Sequence, residues 1–349
     1  MLNIFSKSAI GIDVTDSELR LIFLSKKGKV IILEGYSEVP LSPEIVEGGK
    51  IVDPKKFSEN LKKLIGGIHG NNKVVGDFIS ALPEKETFTI LINGNEEVKN
   101  YDKNDKKQAL PEIIVNEIKE RIPLSLDEIY FDWQITDKNK VLLSAAPKTM
   151  VDNYTSAFKC CESLLSKIDI KTASTIRAIT NFKNTNNKVV VSIGDKSSTI
   201  ILGNNNSIEL AISIPFNNST IDAVLQDKLN LSKSQIKKAK IVCGVNDKKC
   251  HGALKEVLDP YLDEISNSVG QVVTYHKNNF PDEKPIDKII LCGEGAGLKD
   301  LDTLLSKRIN IESVVGNPFI NITKTNNLLD SKKALKFTQA IGMALSGLI

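Results

Sequence analysis

The stretch Ile10-Gly11-Ile12-Asp13-Val14-Thr15-Asp16-Ser17-Glu18-Leu19-Arg20-Leu21-Ile22 has a counterpart far downstream, Val189-Val190-Val191-Ser192-Ile193-Gly194-Asp195-Lys196-Ser197-Ser198-Thr199-Ile200-Ile201-Leu202. Each reads as an apolar strand, a tight polar turn and a second apolar strand. Gly, Ser, Thr and Asp crowd both turns; these residues suit turn geometry and can offer donors to an anion. Either turn alone is equally an ordinary hairpin. Two of them facing each other form a clamp for a phosphate chain, so the repeat predicts a two-lobed nucleotide-binding protein.

The repeat extends outward from both hairpins. After the first, residues 30–39 give a third strand ended by Pro40, with Gly28 at the turn before it. After the second, residues 207–214 give a third strand ended by Pro215. Each trio is followed by a helix. Asp53 is a good N-cap for the first and Pro54 suits its opening position, while Phe57, Leu61, Leu64 and Ile65 recur at helical spacing up to Gly66-Gly67. The helix after the second trio covers 219–229.

The remaining segments fill in the lobes. Strands at 74–82 and 87–92, a polar run at 93–108, a helix at 111–121 and strands at 129–135 and 141–146 make residues 83–146 a small α/β insertion. A helix at 149–165, a strand at 168–172, a helix at 174–182 and a linker at 184–187 lead into the second hairpin. Helices follow at 232–239 and 252–279, then a strand at 287–292, a glycine loop, a helix at 298–308, a strand at 311–315 and a closing helix at 331–347. The fold class is therefore α/β, with two lobes of duplicated mixed sheet, flanking helices and a cleft between the lobes.

Composition excludes several function classes. The 349 residues exceed one ordinary core. A net charge of +3 gives no support for a nucleic-acid-binding face. No apolar stretch reaches the roughly 18–20 residues of a membrane span, and the start lacks a signal-peptide core. The five cysteines (Cys160, Cys161, Cys243, Cys250 and Cys292) are odd in number and scattered, which predicts a reduced chain without a disulfide framework. Cys243 to Cys250 is too wide for a zinc knuckle. His69, His251 and His276 stand at no triad spacing, and Trp133 reads as core or interface.

Three segments carry candidate chemistry. A carboxylate at Asp13 could hold magnesium through water, which the ion retains readily. Thr15, Asp16 and Ser17 could approach phosphate oxygens, with Arg20 adding positive charge. Gly194-Asp195-Lys196-Ser197-Ser198 offers the facing loop, where Gly194 permits close backbone approach. Gly293-Glu294-Gly295-Ala296-Gly297 is neither a Rossmann fingerprint nor a Walker loop, but a glycine loop feeding a helix can pass beneath a nucleotide. Lys237-Lys238 reads as a solvated helix face, with an adenosine-side role for Lys237 as the alternative. No catalytic residue is assigned.

Strung together, these segments resemble the actin-like ATPase superfamily and, within it, the PilM-like family of type IV pilus assembly proteins, related to FtsA. Residues 9–22 look like the phosphate-1 motif, 189–202 like phosphate 2, and 291–298 like the adenosine loop. The most specific likeness is Glu117-Ile118-Lys119-Glu120-Arg121-Ile122-Pro123-Leu124-Ser125-Leu126-Asp127-Glu128-Ile129-Tyr130-Phe131-Asp132-Trp133, a helix ending in Ile-Pro followed by a strand carrying Asp. The segments Gly49-Lys50-Ile51-Val52-Asp53-Pro54 and Asn317-Pro318-Phe319 also resemble the family.

The resemblance implies subdomain 1A over 1–82, rejoined by 147–185 and by the closing helix within 331–349. It implies 1C over 83–146, and a second lobe over 186–330 in which 2B is inserted around 219–280. It implies ATP and Mg2+ as cofactors. Asp13, Thr15, Asp16, Ser17, Arg20, Gly194, Asp195, Lys196, Ser197 and Ser198 would lie at the phosphates, and Lys237, Gly293, Glu294, Gly295 and Ala296 on the adenosine side. It also implies a cytoplasmic protein, peripheral to the membrane, that binds the N-terminal tail of a PilN-like inner-membrane protein in a groove between 1A and 1C, beside other platform or motor proteins.

Several positions depart from the family pattern. Thr15 stands where glycine is usual and Arg20 where lysine is frequent. Ser192 replaces the phosphate-2 aspartate, Asn217-Asn218 replaces a Gly-Gly pair, and Glu294 replaces a glycine. Losing one of two carboxylates that orient a hydrated metal costs orders of magnitude in rate. The expectation is a scaffold with weak or absent ATPase activity. The competing expectation, an active polymerising ATPase of the FtsA or MreB kind, needs the carboxylate that Ser192 lacks.

Overall fold

The computed structural model describes residues 7–101, 110–136, 140–159, 164–184, 186–204 and 207–349. In chain order the strands are β1 (Lys7–Val14), β2 (Glu18–Lys27), β3 (Val30–Pro40), β4 (Val46–Glu47), β5 (Lys50–Ile51), β6 (His69–Gly70), β7 (Asp77–Leu82) and β8 (Phe88–Asn93). They continue with β9 (Ile129–Ile135), β10 (Lys140–Pro147), β11 (Leu165–Ile170), β12 (Lys188–Ile193), β13 (Ser198–Gly203), β14 (Ile208–Ile214), β15 (Lys288–Cys292) and β16 (Glu312–Val315). The α-helices are α1 (Pro54–Gly66), α2 (Glu96–Lys99), α3 (Glu112–Arg121), α4 (Lys148–Lys159), α5 (Lys171–Ile179), α6 (Asn218–Leu229), α7 (Lys233–Val242), α8 (Ala253–Asn279), α9 (Leu301–Ile309), α10 (Ser331–Ala334) and α11 (Thr338–Ser346).

Two large sheets repeat one topology. The first runs β11-β7-β1-β2-β3-β6 and the second β14-β13-β12-β15-β16. In the first, β1 pairs antiparallel with β2, β2 antiparallel with β3, β1 parallel with β7 and β7 parallel with β11. In the second, β12, β13, β14, β15 and β16 reproduce those four relations in the same order. The hairpin registers match as well, with Asp13 opposite Arg20 and Ser192 opposite Thr199. Central strands bury both faces, which is why β1, β2, β12 and β13 read as nearly continuous apolar runs rather than alternating ones.

Each sheet is covered by helices. One face of the first carries α1 and α4, through Phe57, Leu61, Tyr154 and Phe158; the other carries α11, through Ala340, Ile341, Ala344 and Leu345. The second sheet is covered by α6, α8 and α9 on one face. On its other face α5 presses Ile176 and Ile179 against Val190, Ile201 and Ile290. α5 and α11 therefore lie between the two sheets. They approach closely because Gly342 has no side chain where α11 crosses the backbone of Ser174. A third, three-stranded sheet, β8-β10-β9, packs on α3 through Ile114, Ile118, Trp133, Val141 and Leu143. Trp133 is thus core, one of the two roles expected of it.

Local signals explain the element boundaries. The Asp53 side chain accepts from the Lys56 backbone N–H at 3.0 Å and Pro54 opens α1, as expected. Asn217 caps α6 by accepting from the Thr220 N–H at 2.9 Å, and Ser232 with Gln235 forms a capping box on α7.

Several sequence expectations need correction. The helix expected at 174–182 begins three residues earlier, at Lys171, and the preceding strand starts at Leu165 inside what reads as helix. Only Ile168 and Ile170 alternate with a polar neighbour, and it is pairing with the parallel partner β7, through a register shift between Leu165 and Lys167, that makes the whole of 165–170 a strand. The glycine loop after β15 forms a 3-10 turn over Glu294–Gly297, and its helix starts only at Leu301. The closing helix is broken into α10, a 3-10 turn and α11. Cys243 and Cys250, expected to be reduced, form a disulfide with Cα atoms 5.6 Å apart, a separation suited to the bond. The turn between α7 and α8 folds back far enough to bring them together, which linear spacing does not reveal. Cys160 and Cys161, the turn at 137–139 and residues 102–108 of the polar run lie outside the described residues, while the described part of that run carries the short helix α2.

Candidate functional site

In both large sheets the parallel strands point their carboxyl ends at the same crevice. Open α/β sheets hold ligands at that edge because successive connections leave it in opposite directions. Here the residues just beyond β1, β7 and β11 are Thr15, Pro83-Glu84 and Lys171. Those beyond β12 and β15 are Gly194 and Gly293. All of them line one cavity of about 410 Å3, together with Lys336 from the 3-10 turn before α11 and Thr338 and Gln339 from the start of that helix.

The two β-turns meet across this cavity. The Ser17 hydroxyl donates to Asp195 Oδ2 at 3.1 Å, and Lys196 Nζ lies 3.5 Å from Asp16 Oδ2. Asp16 also accepts from the Gly49 backbone N–H at 2.8 Å, and Asp195 accepts from the Ser219 hydroxyl at 2.8 Å. The Thr199 hydroxyl donates to Glu84. The Thr15 hydroxyl is turned inward to the Glu18 carbonyl at 2.8 Å. Among the described residues, the backbone N–H groups of Asp16, Ser17, Asp195 and Lys196 have no acceptor. The loops thus offer amides to the cavity, while the Thr15 and Ser17 hydroxyls are already engaged.

Asp13 lies behind the first turn, fully buried. Arg20 Nη1 stands 3.1 Å from its Oδ2, and Lys171 Nζ stands 3.2 Å from its Oδ1. Burial by itself raises the Asp13 carboxyl, but Lys171 and Arg20 outweigh it and hold the pKa below the ordinary value. Lys171 is the first residue of α5, where the helix dipole disfavours a cation. Its ammonium is held by Asp13 and by the Val14 carbonyl at 3.0 Å. Arg20 also pairs with Glu18 and lies 3.6 Å from Glu294. Lys336 bridges Glu18 and Glu38 at 2.6 and 2.8 Å. Glu84 is pushed up by burial, against the opposing pull of Thr199 and Lys171.

This donor set does not suit magnesium. The ion prefers carboxylate oxygens with several retained waters. Both Asp13 oxygens face cations, and no solvent reaches them. At the matching strand end in the second lobe stands Ser192, paired in register with the buried Cys292; burial pushes the Cys292 thiol up to about 12, with Ser192 opposing. No group of three or more potential ligands comes together among the described residues.

The expected phosphate-side residues Thr15, Asp16, Ser17, Arg20, Gly194, Asp195, Lys196, Ser197 and Ser198 all line the cavity, as do Gly293 and Glu294. Gly293 adopts φ +81°, and a Cβ there would stand 2.5 Å from the Ile193 carbonyl, so the loop is held tight under the second hairpin. Gly295 and Ala296 are buried beneath it, with Ala296 in the core of the second lobe. Lys237 is exposed on α7 and does not line the cavity. Sequence reading missed Lys171, Glu84 and Lys336. The first two were within reach, since Lys171 directly follows the parallel strand β11 and Glu84 lies two residues beyond β7.

A family model for the type IV pilus assembly protein PilM matches residues 11–348. Among solved structures, a PilM-PilN type IV pilus biogenesis complex superposes with a TM-score of 0.75 at 17% identity over 98% of each chain. The ethanolamine utilization protein EutJ of Carboxydothermus hydrogenoformans gives 0.54 at 12% identity, covering 97% of this chain and 89% of EutJ. MreB5 of Spiroplasma citri bound to AMPPNP gives 0.52 at 11%, covering 95% and 94%. These likenesses show an actin-like fold, in agreement with the duplicated sheets. By its match over nearly the whole length, the chain belongs to the type IV pilus assembly protein PilM family.

Proposed function

We propose that this chain is a cytoplasmic scaffold of type IV pilus assembly that holds the N-terminal tail of a PilN-like inner-membrane protein. Its actin-like cleft would be a degenerate nucleotide site that binds without efficient turnover. The observation that carries the reading is the end-to-end likeness to the solved PilM-PilN complex, joined to the family match. Among the described residues no helix is long and apolar enough to cross a membrane, so contact with the bilayer would run through the partner.

The tail would lie between the first sheet's helices and the three-stranded sheet, the 1A and 1C subdomains of this reading. Support comes from the surroundings of α4. β9 is an edge strand, and Tyr130 on it is 48% exposed, with its hydroxyl 3.4 Å from Asp152 of α4. The neighbouring Asn153 holds Ile51, and Val52 beside it is 45% exposed. An open strand edge with apolar side chains nearby suits an extended peptide, which gains main-chain hydrogen bonds from the edge and specificity from the side chains.

Nucleotide binding is supported by the facing turns with their unpaired amides and by the AMPPNP-bound actin-like neighbour. Poor turnover is supported by Ser192 and by the cations on Asp13. Other platform or motor proteins would join through the partner. The test is membrane fractionation after co-expression with a PilN-like protein. The chain should sediment with membranes when the partner's tail is intact and stay in the supernatant when the tail is deleted. Equal distribution in both cases would overturn the reading.

A further inference from the structure

The arrangement around Asp13 says more than that a metal fits poorly. A buried and a half-buried cation divide its two oxygens between them, Arg20 at 3.1 Å and Lys171 at 3.2 Å. The Lys171 side chain is only 14% exposed, yet it lines the cavity. An ammonium has three hydrogens. The Val14 carbonyl accepts one, the ion pair with Asp13 Oδ1 fixes the ammonium without a well-aligned hydrogen bond, and among the described residues no further acceptor engages it. Arg20 likewise reaches the cavity wall while anchored on Asp13 and Glu18.

The positive charge here is therefore built in. Lys85, Lys196 and Lys336 line the same cavity, so a divalent ion entering it would meet five cationic side chains, of which Arg20 and Lys171 are held in place by Asp13. The carboxylates present are already engaged: Asp16 by Gly49 and Lys196, Asp195 by Ser17 and Ser219, Glu84 by Thr199, and Glu294 beside Arg20. A polyphosphate faces the opposite balance, because lysine and arginine donate directly to phosphate oxygens and the unpaired turn amides add further donors.

Resting on the nucleotide-cleft reading above, we propose that this cleft takes a nucleotide polyphosphate without a divalent cation, Lys171 and Arg20 supplying the positive charge that the metal would bring. Asp13 becomes the anchor that holds those two cations in place. Lys171 is then a ligand of the polyphosphate, and the metal-free and magnesium-loaded nucleotide are equivalent to the protein.

The experiment is calorimetric titration of the full chain with ATP, once in excess chelator and once in excess magnesium. The dissociation constants should agree within about threefold. Binding that appears only with magnesium, or is tighter by about tenfold or more with it, overturns the metal-free inference and leaves the nucleotide reading standing. No binding in either buffer overturns both. A pair of variants gives a second readout. Lys171→Ala should weaken ATP binding in chelator by about tenfold, and magnesium should restore part of it; Lys171→Arg should keep the metal-independent behaviour. A folded Lys171→Ala chain that binds ATP in chelator as the parent does would also overturn the proposal.

Discussion

Replacing Asp13 with asparagine should be among the most destabilising single changes in the first lobe. The substitution keeps the shape of the side chain and removes its charge. Arg20 retains Glu18 and Glu294, so its loss is partial. Lys171 retains only the Val14 carbonyl, at the helix end where the dipole disfavours a cation. Breaking a buried pair by removing one partner costs about 3–5 kcal/mol, and the remaining partners of Arg20 put Asp13→Asn near the lower end, at about 3 kcal/mol. Urea denaturation at neutral pH measures it. Adding Lys171→Met should return part of the loss, with a coupling of about 1–3 kcal/mol between the two sites. The sign of the pH dependence follows from the lowered folded pKa of Asp13. Its stabilisation is present above the unfolded carboxylate value and is lost as pH falls through the folded one. The difference between parent and variant should therefore stay constant from neutral pH down to the ordinary Asp range and shrink only below it. A loss under about 1 kcal/mol at neutral pH, or a difference that shrinks on going from mildly acidic to alkaline pH, would refute the claim that Asp13 anchors buried cations.

Other changes probe separate parts of the account. Gly342→Ala places a methyl group against the Ser174 carbonyl, where α11 crosses α5, and should cost about 1–3 kcal/mol or more in thermal or urea melts. Reducing the Cys243–Cys250 disulfide, which closes a short loop, should lower stability by about 2–3 kcal/mol, and Cys250→Ser should make the chain insensitive to reductant. Burial raises the folded pKa of Glu84, so its contribution is full below the unfolded value and is lost as pH rises through the folded one. The parent should consequently lose stability relative to Glu84→Gln as pH climbs from about 4 towards neutral, and a difference that grows in the opposite direction counts against the buried, Thr199-bonded carboxyl.

The fold was largely written in two apolar hairpins. Strands buried on both faces leave unbroken runs such as Val189-Val190-Val191, and the turns between them are short and polar, so both copies of the repeat could be recognised without any contact information. Boundaries failed where tertiary pairing overrode local pattern. Leu165 reads as the end of a helix and 171–172 as the end of a strand, yet β7 draws 165–170 into the sheet, and this shift leaves Lys171 at the head of α5. The facing turns were legible because their composition is unusual. Lys171 and Glu84 carried only the weaker signal of lying just past a strand end, and Lys336 none, since each is an ordinary charged residue whose importance comes from neighbours distant in the chain. The Asp13 cluster shows the same limit. Its residue types suggest a metal ligand, whereas the pairing with Lys171, on an element more than a hundred residues away, turns it into an internal ion cluster.

The scaffold reading is tested most directly by titrating the purified chain with a synthetic peptide of the PilN-like partner's N-terminal tail, followed calorimetrically in nucleotide-free buffer. Saturable binding at one tail per chain, absent with a scrambled peptide, is the predicted result. No heat of binding, or binding that appears only while ATP is being hydrolysed, would contradict a scaffold whose cleft does not depend on turnover.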